Sequence, residues 1–101
     1  MSRISIVVTF TIKPGSEAAF GAHMREHARA TLAEEPGCER FDVMQPLGED
    51  GAPDVSRLML VEVYRDMDAV TAHRANPRMP VVGAGSAPML AGRELTICSM
   101  D

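Results

Sequence analysis

Two histidines placed among apolar neighbours at helical spacing are the side chains best suited to proton chemistry in this sequence. His73 follows Val70 by one turn of a predicted helix, and His27 belongs to the series Phe20, Met24, His27, Thr31 in another. Residues three or four apart share a helix face, so each histidine rides on the side its helix should bury. An imidazole ordinarily titrates near neutrality and can take a proton from a weakly acidic substrate. The same placement also suits a neutral core histidine satisfied by hydrogen bonds. Tyr64, the one tyrosine, shares a strand face with Glu62 just before the His73 helix. Its hydroxyl can hold developing oxygen charge or can simply pack. Asp42 on another predicted strand either meets a substrate or holds an arginine, and Met24 and Phe20 are lining for a core or a pocket. His73, His27 and Tyr64 are thus the candidate catalytic residues, with Asp42, Glu62, Met24 and Phe20 the candidate substrate contacts.

Other patterns carry less. His23-Met24-Arg25-Glu26-His27 spells the H-x-x-E-H of some zinc proteases, where histidines four apart share a metal and the glutamate acts as base. A catalytic zinc needs a third protein ligand, and this helix must turn its inner face to a sheet. The expectation is therefore coincidence, with no metal. Gly83-Ala84-Gly85-Ser86-Ala87-Pro88 does not join a strand to a helix and has Pro88 where a dinucleotide fingerprint needs its last glycine. No cofactor is expected. Cys38 and Cys98 lie far apart without a Cys-x-x-Cys spacing, which reads as two buried, reduced thiols.

The elements that must position these residues alternate between the two periods. Residues 3–12 form a strand, with Ile4, Ile6, Val8, Phe10 and Ile12 on one face. Lys13-Pro14-Gly15 breaks it, Ser16 is the expected cap, and a helix runs to about Glu34 before Pro36-Gly37. Strict alternation from Cys38 to Gln45 sets Cys38, Arg40, Asp42 and Met44 against Glu39, Phe41, Val43 and Gln45. A flexible loop over 46–54 leads to a strand over 56–65, apolar on both faces. Asp66 caps the His73 helix and Asn76-Pro77 ends it, since a residue before proline avoids the helical region. Residues 79–88 read as irregular or short helical, and Arg93 to Met100 as the last strand. The order β-α-β-β-α-β predicts an α+β, ferredoxin-like protomer with a four-stranded antiparallel sheet and helices on one face. Apolar residues on the other face call for a second copy of the chain, so a homodimer with sheets face to face is expected.

A chain of 101 residues predicts a single domain over 1–101. The net charge of −4 is dispersed, with no basic cluster for a phosphate backbone, so nucleic acid is not an expected partner. The first residues lack a secretory apolar core and no apolar run approaches the roughly 20 residues that cross a bilayer. A soluble cytoplasmic protein without a membrane partner is the expectation.

Glu35-Pro36-Gly37-Cys38-Glu39-Arg40-Phe41-Asp42-Val43-Met44-Gln45, then Glu62-Val63-Tyr64-Arg65-Asp66, Ala72-His73-Arg74 and Asn76-Pro77, in this order and spacing, resemble the antibiotic biosynthesis monooxygenase (ABM) domains of the dimeric α+β barrel superfamily. The resemblance covers nearly the whole chain. It implies a dimeric barrel and a small-molecule pocket between sheet and helices. Members include cofactor-free oxygenases of quinols and anthrones, a quorum-signal isomerase and haem-degrading enzymes. Tyr64 stands where the haem-degrading branch has a tryptophan, and strand one lacks that branch's asparagine, which argues against haem chemistry here. The segment from Val82 to Pro88 is short of the family's bulky residues, which leaves the closure of the pocket open.

A cofactor-free oxygenase must turn a phenol or hydroquinone into its anion, which passes an electron to dioxygen far more readily than the neutral form. It therefore needs a base and a dry pocket. The resemblance strengthens a pocket role for His73 as base, with His27 and Tyr64 as orienters, and implies a quinone-like aromatic substrate and dioxygen as partners. Two other readings stand beside it: an isomerase of a small hydroxyketone using the same base, and a dimeric module that binds a small aromatic ligand without turnover.

Overall fold

The computed structural model describes residues 2–100. Their order is β1 (Arg3–Ile12), α1 (Glu17–Glu34), β2 (Cys38–Met44), β3 (Arg57–Tyr64), α2 (Met67–Ala75), α3 (Arg78–Ser86), a 3₁₀ turn at Ala87–Met89 and β4 (Leu90–Met100). The strands form one antiparallel sheet in the order β2-β3-β1-β4. This is the expected ferredoxin-like α+β arrangement, with β1 and β3 in the centre. Ile6, Val8, Phe10 and Ile12 of β1 and Leu58, Leu60 and Tyr64 of β3 are buried on the inner face, beneath the helices. The alternate residues Val7, Thr9, Met59 and Val61 face outward and are only partly covered. Among the described residues no helix is long and apolar enough to cross a membrane.

Local chemistry explains most element ends. The Asp66 carboxylate accepts the Ala69 N–H at 2.8 Å, capping α2. Asn76, extended before Pro77, stops that helix, and its side-chain oxygen then accepts the Arg78 N–H at 2.9 Å, starting α3. One Asn-Pro pair both ends a helix and begins the next. Glu35 is likewise driven into extended geometry by Pro36. That turns its side chain off the line of α1.

Several expectations are corrected. Ser16 makes no side-chain cap; the Glu17 carboxylate takes the Gly15 N–H at 2.6 Å instead, where it also faces the positive end of α1. Of the two forms expected after Pro77 the segment takes the short helical one, whereas β4 starts at Leu90 rather than Arg93 because the backbone of Ile12 already pairs with Leu90. Alternation along β2 is broken by a bulge: Cys38 lies opposite Tyr64, Arg40 opposite Val63 and Phe41 opposite Glu62. The extra residue puts Cys38 on the same inner face as Phe41, not on the face of Arg40 and Asp42. Cys38 is buried, and its thiol is pushed up to about 11 by that burial. Cys98 is exposed on the outer side of β4, so only one of the two thiols belongs to the core.

Close approach of α2 to the sheet depends on Gly37. A Cβ there would come within 2.5 Å of the Ala69 Cβ, closer than any real contact. With glycine in place, Val70 and His73 settle onto the inner face.

Candidate functional site

Between α1, α2, α3 and the inner face of β1, β3 and β4 lies a cavity of about 730 Å³. That volume is in the range of small-molecule sites. Its floor is apolar, with Ile6, Val8, Phe10 and Leu60; Met24 and His27 enter from α1, His73 and Arg74 from α2, and Met79 and Val82 from α3. The small residues Gly83, Ser86, Ala87, Ala91 and Gly92 form much of the remaining wall. The segment from Val82 to Pro88, short of bulky residues, is what leaves room for the cavity. α3 is held in place by the His23 Nε2–H, which donates to the Val82 carbonyl at 3.0 Å. Gly85 lies directly under that ring, where a Cβ would be 2.9 Å from His23 Cε1.

His73 is the best-anchored polar group in the cavity wall. Its Nδ1 lies 2.7 Å from Glu35 Oε1, and the other Glu35 oxygen accepts from Arg78 Nη2 at 2.7 Å. Arg78 Nη2 also donates to Thr31 Oγ1 at 3.0 Å. A nitrogen facing a carboxylate carries a proton, so His73 Nδ1–H donates, and in the neutral imidazole the lone pair is on Nε2. Nε2 lies 3.8 Å from Glu62 Oε1, too far for a hydrogen bond but on the cavity side, since both residues line it. The result is a fixed imidazole with a basic nitrogen turned to an apolar space.

Glu62 is 5% exposed. Burial raises its carboxyl above the usual range, opposed by the hydrogen bond from Tyr64 and the nearby His73. The Tyr64 Oη–H donates to Glu62 Oε1 at 2.6 Å. Tyr64 itself is fully buried and does not line the cavity, and burial followed by the neighbouring Glu62 charge pushes its phenol far up. It is a neutral donor that positions Glu62, not a hydroxyl presented to a ligand. His27 does line the cavity, and its ring centroid is 5.7 Å from that of His73. Burial above all, then the positive charge that His73 carries when protonated and that of Arg78, bring its pKa down to about 4. Its Nδ1 is buried without a hydrogen-bond partner, and its ring stands edge-on to Phe41. At neutral pH it is an uncharged wall of the site.

The structure thus brings His73, His27, Glu62 and Met24 together around the cavity and puts Tyr64 one hydrogen bond behind them. Phe20 is fully buried beneath, its ring 4.9 Å from that of Phe10. Asp42 is elsewhere. It lies opposite Val61 on the outer face and pairs with Arg40 at the surface. The H-x-x-E-H residues also part: His23 meets α3, Glu26 pairs with Arg29 on the surface and His27 enters the cavity. Among the described residues no group of three or more His, Cys, Asp or Glu is placed to hold a metal ion. Glu35 and Arg78, which orient His73, were not singled out from the sequence. The available signal was Pro36, which forces the residue before it out of the helix.

Against known proteins, the family model described as antibiotic biosynthesis monooxygenase matches residues 3–80. A crystal structure from Caulobacter crescentus CB15, named as a candidate antibiotic biosynthesis monooxygenase, superposes with a TM-score of 0.87 at 25% identity, covering 99% of this chain and 91% of that one. One from Nitrosomonas europaea, similarly named, gives 0.84 at 24% identity, covering 98% and 90%. A protein from Bacteroides fragilis NCTC 9343, described as dimeric, of unknown function and of ferredoxin-like fold, gives 0.78 at 12% identity, covering 99% and 98%. No curated protein matches.

Proposed function

Since the chain belongs to the antibiotic biosynthesis monooxygenase family, we propose that it is a cofactor-independent monooxygenase of a small quinol- or anthrone-like aromatic. The observation that carries this reading is His73, held at Nδ1 by Glu35 at 2.7 Å with Nε2 on the side of an apolar cavity. Nε2 takes the proton of a phenolic hydroxyl. The resulting anion passes one electron to dioxygen, and the semiquinone and superoxide combine at a ring carbon to give a peroxide. Loss of water from the peroxide leaves one oxygen in the product. For a hydroquinone the change is quinol plus dioxygen to hydroxyquinone plus water, with all four electrons drawn from the substrate. Glu62, 3.8 Å from Nε2 on the same cavity, relays that proton to the departing oxygen. The apolar floor keeps water from the radical pair.

The active form is a homodimer with the outer faces of two sheets in contact. Val7, Met59 and Val61 on that face, with Met44 at 37% exposure, support it. So does the Bacteroides fragilis protein of the same fold, which is described as dimeric. A monomeric mass by light scattering at micromolar concentration, with the fold intact, would remove the dimer.

A proton transfer between neighbouring carbons of a small hydroxyketone is the second reading. It is favoured by two proton acceptors, His73 Nε2 and Glu62 Oε1, 3.8 Å apart. A screen of reduced quinones with dissolved oxygen followed continuously separates the cases. Stoichiometric oxygen uptake with product formation supports the monooxygenase. Solvent-deuterium incorporation into a hydroxyketone without oxygen uptake supports the isomerase, and saturable quinone binding with neither leaves a binding module.

A further inference from the structure

The charged groups lining the cavity divide by depth. Glu62 and His73 are buried, whereas Arg74 and Arg93 line the same cavity while remaining exposed, which puts them at its mouth. The two arginines reach it from different elements. Arg74 follows His73 on α2, and Arg93 lies opposite Phe10 on β4, so it shares the inner face while its neighbour Glu94, opposite Thr9, points outward. Among the described residues, every arginine but Arg25, Arg74 and Arg93 has an acidic partner at ion-pair distance. Two of the three arginines without such a partner therefore line this one cavity.

Resting on the reading of this cavity as the substrate site, we propose that the substrate is an anionic aromatic diol whose carboxylate is held by Arg74 and Arg93 while its ring enters toward His73. Guanidinium groups match a carboxylate in charge and in the fork geometry of their donors. The interior does not cancel their field. Glu62, the one carboxylate among the described lining residues, is buried with its Oε1 taken by the Tyr64 hydroxyl, and Glu35 behind His73 is already paired with Arg78. The chain as a whole carries a net charge of −4 and so does not draw anions by itself. Admission of an anion falls to these two side chains. The same pair fixes direction: a carboxylate at the mouth leaves the ring and its hydroxyl to the apolar floor and the basic nitrogen.

The test is binding without oxygen, so that turnover plays no part. 1,4-Dihydroxy-2-naphthoate and its neutral counterpart 1,4-dihydroxynaphthalene are titrated anaerobically against the wild-type protein, Arg74→Gln, Arg93→Gln and the double variant. The carboxylated diol should bind at least about tenfold more tightly than the neutral one. That preference should shrink in each single variant, vanish in the double variant and fall near 1 M salt, where charges are screened beyond about 3 Å. Affinity for the neutral diol should stay constant throughout. Equal binding of the two diols, failure of the carboxylated diol to bind, or a preference that survives in the double variant would overturn the proposal. Tighter binding of dihydroxyacetone phosphate than of the carboxylated diol would also overturn it, in favour of an aliphatic phosphate. Preferential binding followed by no oxygen uptake in air would leave the substrate class standing and remove the monooxygenase reading.

Discussion

The two ends of the inner sheet face are built on opposite plans. Toward β2, β3 and the start of α2, large side chains close the space: Tyr64 and Val70 are fully buried, and Gly37 lets α2 approach until no added atom would fit. Toward β4 and α3 the chain uses Gly83, Ser86, Ala87, Ala91 and Gly92, and Leu95 on the inner face remains 42% exposed. One end has stability built into it and the other has space. His73 stands where they meet, with Glu35 on the dense side and the cavity on the other. A base needs both, because a rigid hold fixes its direction and an open side admits the proton donor.

Removing the group at that junction should have the largest effect. His73→Ala is expected to lower turnover by about 100- to 10,000-fold, with binding of an unreactive quinone little changed. Turnover and thermal stability measured on the same sample decide the matter, and normal turnover in folded protein ends the base assignment. Glu35→Gln keeps the volume but weakens the hold on Nδ1, so it should lower turnover less than His73→Ala and leave KM nearly unchanged.

Within the dense end, Tyr64→Ala should cost about 3–5 kcal/mol of stability, because a fully enclosed ring leaves a hole its neighbours cannot fill. Urea denaturation reads this directly, and a loss below about 1 kcal/mol would mean that this end is not closely packed.

His27 gives the comparison a pH dependence. Its folded pKa of about 4 lies below the unfolded value of 6.5, so the unfolded chain binds the proton more readily. Its effect is absent above about pH 6.5, and stability is lost as pH falls from there toward 4, by about 3 kcal/mol in full. The raised carboxyl of Glu62 acts in the opposite sense, losing stability as pH rises above its unfolded value. Comparing denaturation of the wild type and His27→Gln between pH 7 and 4 isolates the histidine. The variant should lose less stability across that range; parallel curves would mean that His27 is not held neutral.

The smallest effects are expected from giving two glycines a side chain. Gly37→Ala should destabilise by about 1–3 kcal/mol through its clash with Ala69. Gly83→Leu meets open space at Cβ and lies within α3. It should stabilise by up to about 1 kcal/mol through helix propensity while weakening ligand binding, since the side chain grows into the cavity. Paired melting curves and quinone titrations check both, and a destabilised Gly83→Leu would show that the open end is as closely filled as the other.

Much of this molecule is decided by neighbours along the chain. The alternation of β1 and β3, the inner faces of α1 and α2, the Asp66 cap and the stop at Asn76-Pro77 each depend on residues a few positions apart, whose periods and caps can be read directly. His73 is on an inner face for that reason alone. Only the tertiary structure decided what holds His73 there. Glu35 reaches the imidazole and Arg78 across separations of 38 and 43 residues, and nothing local brings them together. One extra residue in β2 turned Cys38 inward, Asp42 lies on the outer face, and Tyr64 became a support for Glu62 rather than a wall of the site. Whether a small residue marks a weak segment or the wall of a cavity depends on how far the opposing surface stands from it. That distance is set by the packing of α3 against α1 and the sheet, and no local period carries it.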